Sequence, residues 1–206
     1  KEKKRCSQPW RDARAISHAG DTFTGWISTT GNVWVARYTA DGKLTKRVIF
    51  KGLGRDDHNN PSLVFRHDGH IMVFFSPHSG HHLPPPGIPK AMHYMVSLNP
   101  YSINGFGKVH TVDTNVPGGL GYTYPNPMQL QDKLWLFWRG GAWNPTFSYT
   151  TDGIHWVPAR ELVYFGHGQR PYAKYVGDSD QRIHGIFTDG HPLSWKNSLH
   201  YLRYEA

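Results

Sequence analysis

The sequence predicts an all-β protein, a β-propeller of four-stranded antiparallel blades with about four blades present. Three observations predict it. Apolar residues come in short β-rich runs, several of them alternating, and no segment carries a capped apolar repeat of helical period. Asp-Gly pairs at Asp41-Gly42, Asp68-Gly69 and Asp152-Gly153 separate such runs, and this dipeptide enters positive φ easily enough to close tight hairpins. The runs also group into units, and a unit of about 40–45 residues is the size of one four-stranded blade.

Taken in order, an early unit occupies residues 25–50 and contains the alternating run 32–38. The next starts at Pro61 with 61–65, turns at Asp68-Gly69, and continues through 71–76 and 91–97. Its excess length is a loop, 77–90, containing Pro84-Pro85-Pro86. A third starts at Pro127 with 127–130, turns at Gln131-Asp132, and continues through 134–138 and 146–150. The last starts at Pro171 with 171–175, turns near 178–180, and continues through 183–188 and 198–204. Behind the third unit, Asp152-Gly153-Ile154-His155-Trp156 looks like a degenerate Asp-box, the structural turn of sialidase-type propellers. Residues 1–206 are read as one propeller domain or the N-terminal portion of one.

Composition narrows the partner. The chain has 206 residues and a net charge of +8, with 8 Trp, 11 Tyr and 10 Phe, enough aromatic surface to build a core. No apolar run is long enough to span a membrane, and residues 1–5 are basic with no apolar stretch behind them. A single cysteine, Cys6, excludes an internal disulfide framework and a multi-cysteine zinc module. The positive charge fits a polyanion or simply solubility. Outside residues 1–5 the basic residues are dispersed, with no nucleic-acid-binding motif, so an acidic polysaccharide is the expected partner, with no nucleic acid and no membrane.

The repeat brings polar residues to matched positions. Before the first strand of successive units stand His58-Asn59-Asn60-Pro61, Tyr124-Pro125-Asn126-Pro127 and Gly168-Gln169-Arg170-Pro171. After the second strand stand Pro77-His78, Arg139-Gly140-Gly141 and Asp189-Gly190-His191. In an antiparallel hairpin the start of one strand lies beside the end of the next, and the first strand of a blade lines the central channel. One rim is therefore expected to gather His58, Asn60, His78, Tyr124, Asn126, Arg139, Arg170 and His191. Plain alternatives stand beside this. Asn60 and Asn126 can close Asx turns, Tyr124 can be a packed aromatic, His58 can be a turn residue bonded to Asp56 or Asp57, and Arg139 can be a surface cation.

Such a set suits β-elimination from a uronic acid better than glycoside hydrolysis, which usually takes two carboxylates. Asp56 and Asp57 are neighbours and point apart if extended. Arg139 or His78 can neutralise the uronate and stabilise the charge that develops. Of His58 and Tyr124, one can abstract the proton and the other protonate the leaving oxygen, tyrosine needing a pKa lowered by nearby cations to serve as base. Asn60, Tyr122, Asn126, Asn144, Arg170 and Lys174 are candidate substrate contacts, and Trp143 or Tyr172 can stack on sugar or pack in the core.

Asp57-His58-Asn59-Asn60-Pro61, Pro77-His78-Ser79, Tyr122-Thr123-Tyr124-Pro125-Asn126-Pro127, Trp138-Arg139-Gly140-Gly141 and Arg170-Pro171-Tyr172 together resemble BNR-repeat propeller polysaccharide lyases, the ulvan lyases among them. The resemblance implies a seven-bladed propeller, of which this chain holds about half. It implies a secreted or periplasmic bacterial enzyme that cuts beside a uronate in a sulfated polysaccharide. It also implies an acid–base pair at His58 and Tyr124 and carboxylate neutralisation at His78 and Arg139. Tyr122 stands near enough to compete, and the repeat register favours Tyr124. Catalysis of this kind needs no cofactor. A structural zinc ion is implied for relatives, with His184, His191 and His200 as conceivable ligands. A sialidase-like hydrolase, which needs a Tyr/Glu pair, and a non-catalytic glycan-binding propeller are the competing readings. Beyond residue 2 the only glutamates are Glu161 and Glu205.

Overall fold

The structure is a computed structural model that describes residues 15–78, 91–112, 122–166, 168–179, 181–194 and 196–205. The basic run 1–5, Cys6 and most of the loop 77–90 lie outside the described residues. Among the described residues, fifteen strands make four antiparallel sheets in chain order. The first holds β1 (Ala15–His18), β2 (Asp21–Ile27), β3 (Val33–Tyr38) and β4 (Leu44–Phe50). The second holds β5 (Ser62–Phe65), β6 (Ile71–Phe75), β7 (Met92–Val96) and β8 (His110–Val112). The third holds β9 (Thr123–Leu130), β10 (Lys133–Arg139), β11 (Pro145–Thr150) and β12 (Arg160–Glu161). The fourth holds β13 (Ala173–Gly177), β14 (Arg182–Thr188) and β15 (Leu199–Glu205). Each strand pairs with its chain neighbour, the up-and-down meander of a propeller blade. The first unit starts ten residues earlier than the sequence reading placed it, at Ala15, because β1 is a largely polar edge strand with little apolar signal.

The blades stack face to face. Along β6, Ile71, Val73 and Phe75 join a cluster with Phe23, Val33, Val35 and Leu63 of the first and second blades. Its alternate residues Met72 and Phe74 join Leu134, Leu136 and Trp138 of the third blade. β10 repeats the device, since Trp135 and Phe137 pack on Tyr175 and Ile183 of the fourth blade. A strand buried on both faces needs no polar partner register, which is why these segments read as continuous apolar runs.

The predicted turns form. Gly42, Gly69 and Gly153 all have positive φ, at 87°, 80° and 74°. At the third turn Asp152 Oδ1 accepts from the backbone N–H groups of Ile154 and His155, each at 2.8 Å, and from Thr150 Oγ1 at 2.9 Å. This closure delivers Trp156 edge-on to Phe74 and Tyr94 of the neighbouring blade, at 5.8 and 5.9 Å between centroids. The Asp-box therefore ties two blades together.

Candidate functional site

The site lies where β5, β9 and β13, the first strands of three successive blades, approach one another. In the second blade the segment before β5 is not extended. Asp56 caps a 3-10 turn, Asp57–Asn59, by accepting from His58 N at 2.8 Å. The turn brings both neighbouring carboxylates to one imidazole nitrogen. His58 Nδ1 is 2.7 Å from Asp56 and 2.9 Å from Asp57, so the expectation that these carboxylates point apart is corrected. The other oxygen of Asp56 reaches His78 Nδ1 at 3.0 Å. His78 is fixed from its backbone as well, donating from N to Asn59 Oδ1 at 2.6 Å. The two imidazoles stack with centroids 4.0 Å apart and planes 5° from parallel.

Burial by itself would raise the Asp56 pKa. Hydrogen bonds from the His58 and His78 rings and the His58 backbone N–H outweigh it and hold the carboxyl far below its usual 3.8. Asp56 is therefore a fixed negative charge across the whole working pH range.

In the third blade the matching segment is part of the sheet, and a bulge shapes it. Asn126 pairs with Phe137 and Thr123 with Arg139, leaving the residues between out of register. Tyr122 and Tyr124 take left-handed conformations, with φ of 71° and 60°, which costs an aromatic residue of order 1–3 kcal/mol. Such a bulge re-aims a side chain. The ring of Tyr124 lies 5.4 Å from that of His58 and 5.7 Å from that of Tyr172.

Arg139 is the centre of the site. It ends β10, is only 6% exposed, and donates from Nε to Thr123 Oγ1 at 3.1 Å. Its Cζ lies 4.8 Å from the Tyr124 ring, 4.6 Å from that of Trp143 and 4.9 Å from that of Tyr172. Among the described residues no carboxylate pairs with it. Three aromatic faces offset part of the cost of burying this cation, each such contact being worth about 0.5–2 kcal/mol. Trp143 reaches it through a further left-handed residue, φ 68°, and lies edge-on to His78 at 5.4 Å. Arg170, exposed and again left-handed at φ 56°, sets its Cζ 5.2 Å from the centre of the same Trp143 ring.

Burial pushes the Tyr124 hydroxyl above its ordinary value of 10.0. Arg139 pulls the other way without prevailing, and Tyr172 and Asp57 add to the rise. The expected lowering by neighbouring cations is thus reversed, because the phenol is desolvated more than it is attracted. His191 lies against the site, its Nε2 3.4 Å from the Tyr172 hydroxyl. Burial lowers its pKa, and Arg139, Arg170 and His58 push the same way.

His58, His78, Tyr124, Arg139, Arg170 and His191 therefore gather as the repeat register predicts. Four other candidates are held in the core or in a turn, and Lys174 borders the site. Tyr122 and Asn144 are buried, each 2% exposed. Tyr122 belongs to the core between the second and third blades. Asn144 donates to Glu161 at 2.9 Å, which ties down the carboxylate that a Tyr/Glu pair needs. Asn126 is buried and accepts from Tyr175 N, and Asn60 closes its own turn by donating to Asp57 O at 2.6 Å. Lys174 lines an apolar crevice with Tyr124, Tyr172 and Phe187. His58 is a turn residue bonded to Asp56 and Asp57, as the plainer sequence reading allowed; what that reading missed is the reach of Asp56 to His78 and the aromatic cage around Arg139. The Asp-x-His spacing before Asn60 was its one available signal.

Nor does the structure bring the three suggested zinc ligands together. His184 bonds Asp178 and Tyr201, both at 2.7 Å, His200 bonds Asp189 at 2.5 Å, and His191 lies by Tyr172. Among the described residues the ligand atoms that converge are those of Asp56, His58 and His78.

Comparison with known proteins agrees with the architecture. No curated protein matches the sequence. Among solved structures, a polysaccharide lyase, an ulvan lyase bound to -[GlcA(1-4)Rha3S]-, is similar with a TM-score of 0.63 at 19% identity. The similarity covers 88% of this chain and 45% of that one, so the chain spans about half the length of that relative. The catalytic domain of an α-L-arabinofuranosidase from Coprinopsis cinerea is similar with a TM-score of 0.60 at 13% identity, over 100% of this chain and 68% of that one. At these identities the likeness is one of fold, shared by lyases and hydrolases that act on carbohydrate. The model of the BNR repeat-containing family matches residues 21–206, and the chain belongs to that family.

Proposed function

We propose that this chain carries the active site of a polysaccharide lyase, which cleaves a uronate-containing, sulfated polysaccharide by β-elimination. One observation carries the reading. Arg139 is a buried guanidinium caged by Tyr124, Trp143 and Tyr172, with no carboxylate paired to it among the described residues. A buried cation of this kind completes its charge balance with an anion from outside, and a guanidinium fork matches a carboxylate.

The chemistry follows from the neighbours. Asp56 accepts from Nδ1–H of His58, which fixes the tautomer and leaves Nε2 with its lone pair. With the uronate carboxylate on Arg139, Nε2 takes the proton α to that carboxylate. The C–H electron pair forms the new C=C bond, and the bond to the glycosidic oxygen breaks. Tyr124, kept protonated by burial, gives its proton to that oxygen. Arg139 stabilises the negative charge that builds on the carboxylate during proton loss, and His78, stacked on His58, is placed to assist. The exposed Arg170 beside Trp143 is suited to a sulfate on an adjoining sugar, with Trp143 as stacking surface. An ulvan-like substrate fits this reading, as does a secreted or periplasmic setting, where such polymers are met.

A carboxyl-reduced polymer tests the assignment. The parent chain is expected to bind the native polymer more tightly than the reduced one, and Arg139→Ala to bind both alike. Equal binding by the parent would contradict it.

A further inference from the structure

The three side chains that converge on the Asp56 carboxylate are also a ligand set. His58 Nδ1 and His78 Nδ1 stand 2.7 and 3.0 Å from the two oxygens of Asp56, and the three donor atoms all lie within 4.8 Å of one another. Two imidazole nitrogens and a carboxylate oxygen are the ligands that zinc takes in three-residue sites, at bond lengths of about 2.0–2.2 Å with a fourth position open. Tetrahedral bonds of that length put ligand atoms a little over 3 Å apart, and the two carboxylate-to-imidazole distances, 2.7 and 3.0 Å, are close to this. The outer support that such sites need is present. Asp56 is held as the cap of the 3-10 turn, and the His78 backbone is bonded to Asn59, whose Nδ2 donates in turn to Gly54 O at 3.1 Å. Asp57, 2.9 Å from His58 Nδ1, supplies a second negative charge beside the ion.

We propose that Asp56, His58 and His78 form an inhibitory site for a zinc-like divalent cation, which binds in place of the protons now shared within the trio. Binding through Nδ1 shifts the single proton of each neutral imidazole from Nδ1 to Nε2, by exchange through solvent with no net release, and leaves the carboxylate ionised. A neutral imidazole with its Nδ1 on a metal keeps its one proton at Nε2. His58 then has no lone pair to offer a substrate C–H, and the site is switched off reversibly. Ion binding stands by itself; the inhibitory consequence rests on the lyase reading above.

The test uses the full chain freed of metal with a chelator. Cobalt(II) is titrated in and followed by its visible ligand-field absorption, and zinc is then added to displace it. One equivalent is expected to saturate, with the intense band of a four-coordinate ion. Asp56→Asn keeps a capping side chain at the turn. It and His78→Ala are each expected to weaken uptake tenfold or more while circular dichroism stays unchanged, and His200→Ala to bind as the parent does. Absence of uptake, uptake that survives both Asp56→Asn and His78→Ala, or uptake lost in His200→Ala would overturn the site. In a second arm, zinc is expected to stop uronate elimination in step with occupancy, and chelator to restore it. A zinc-saturated protein that remains fully active overturns the inhibitory role. Saturable uptake at this trio in a chain that eliminates no uronate upholds the site and counts against the lyase reading alone.

Discussion

The imidazole of His58 and the phenol of Tyr124, from successive blades, lie 5.4 Å apart with their planes 39° from parallel. Neither residue reaches this position through regular strand geometry. His58 is turned in by a 3-10 cap on Asp56, and Tyr124 by a bulge that holds it at positive φ. Arg139 bears on the phenol ring at 4.8 Å, so imidazole, phenol and guanidinium share one mouth of the blade stack.

Acid and base are separable by leaving group. Tyr124→Phe is expected to lower turnover of the polymer by about 10²–10⁴ while binding is kept. A uronate carrying a good aryloxy leaving group on the carbon β to its carboxylate needs no proton from the enzyme, so it is expected to rescue Tyr124→Phe and not His58→Ala. The reverse pattern, measured as kcat on both substrates, would exchange their roles.

Arg139 is expected to act on the transition state more than on binding. Arg139→Ala should lower kcat by about 10²–10³ with a smaller change in Kd, as for removal of a group that meets developing charge. Arg139→Lys should recover little, because an ammonium lacks the planar face that three aromatic rings hold. Recovery by lysine to parent kcat would reduce the role to charge alone.

How far the sequence carried the argument depends on what each residue's neighbours do. The blades were legible because β6 and β10 are apolar on both faces and glycine marks the turns. The meeting of His58 with Tyr124 followed from hairpin register, as did the placing of His78 and Arg139 around Trp143 on the same rim. Tyr122 and Asn144 were not legible as core residues. Strand alternation fails at the bulge in β9, and Asn144 is buried by a partner, Glu161, seventeen residues away. The cage around Arg139 was hidden for a similar reason, since Trp143 arrives through a left-handed turn that no pattern announces.

The Asp-box tryptophan is expected to be structural. Trp156→Ala should destabilise the chain by about 3 kcal/mol, since it empties the seam between the second and third blades. Trp156→Phe should recover part of that loss in a denaturant melt. An unchanged midpoint in the alanine variant would place the seam's stability elsewhere.

Alkaline stability has an assigned source in two buried phenols, Tyr124 and Tyr175, of which Tyr175 lies outside the site. Burial raises the Tyr175 hydroxyl well above 10.0, and among the described residues the hydroxyl has no hydrogen-bond partner. Below pH 10 both folded and unfolded chains keep the proton, so stability is unaffected there. Above it the unfolded chain releases the proton first, and stability falls as pH climbs toward the folded value. Tyr175→Phe is expected to be neutral or stabilising by about 1 kcal/mol at pH 7, with a shallower decline above pH 10. An unaltered alkaline slope in urea melts would remove Tyr175 as its source.

The most direct test of the elimination chemistry is the ultraviolet absorbance of the reaction with ulvan. A conjugated unsaturated uronate, which only β-elimination creates, is predicted to accumulate in step with new chain ends and to be absent with His58→Ala. New reducing ends without that absorbance would mean hydrolysis and contradict the account.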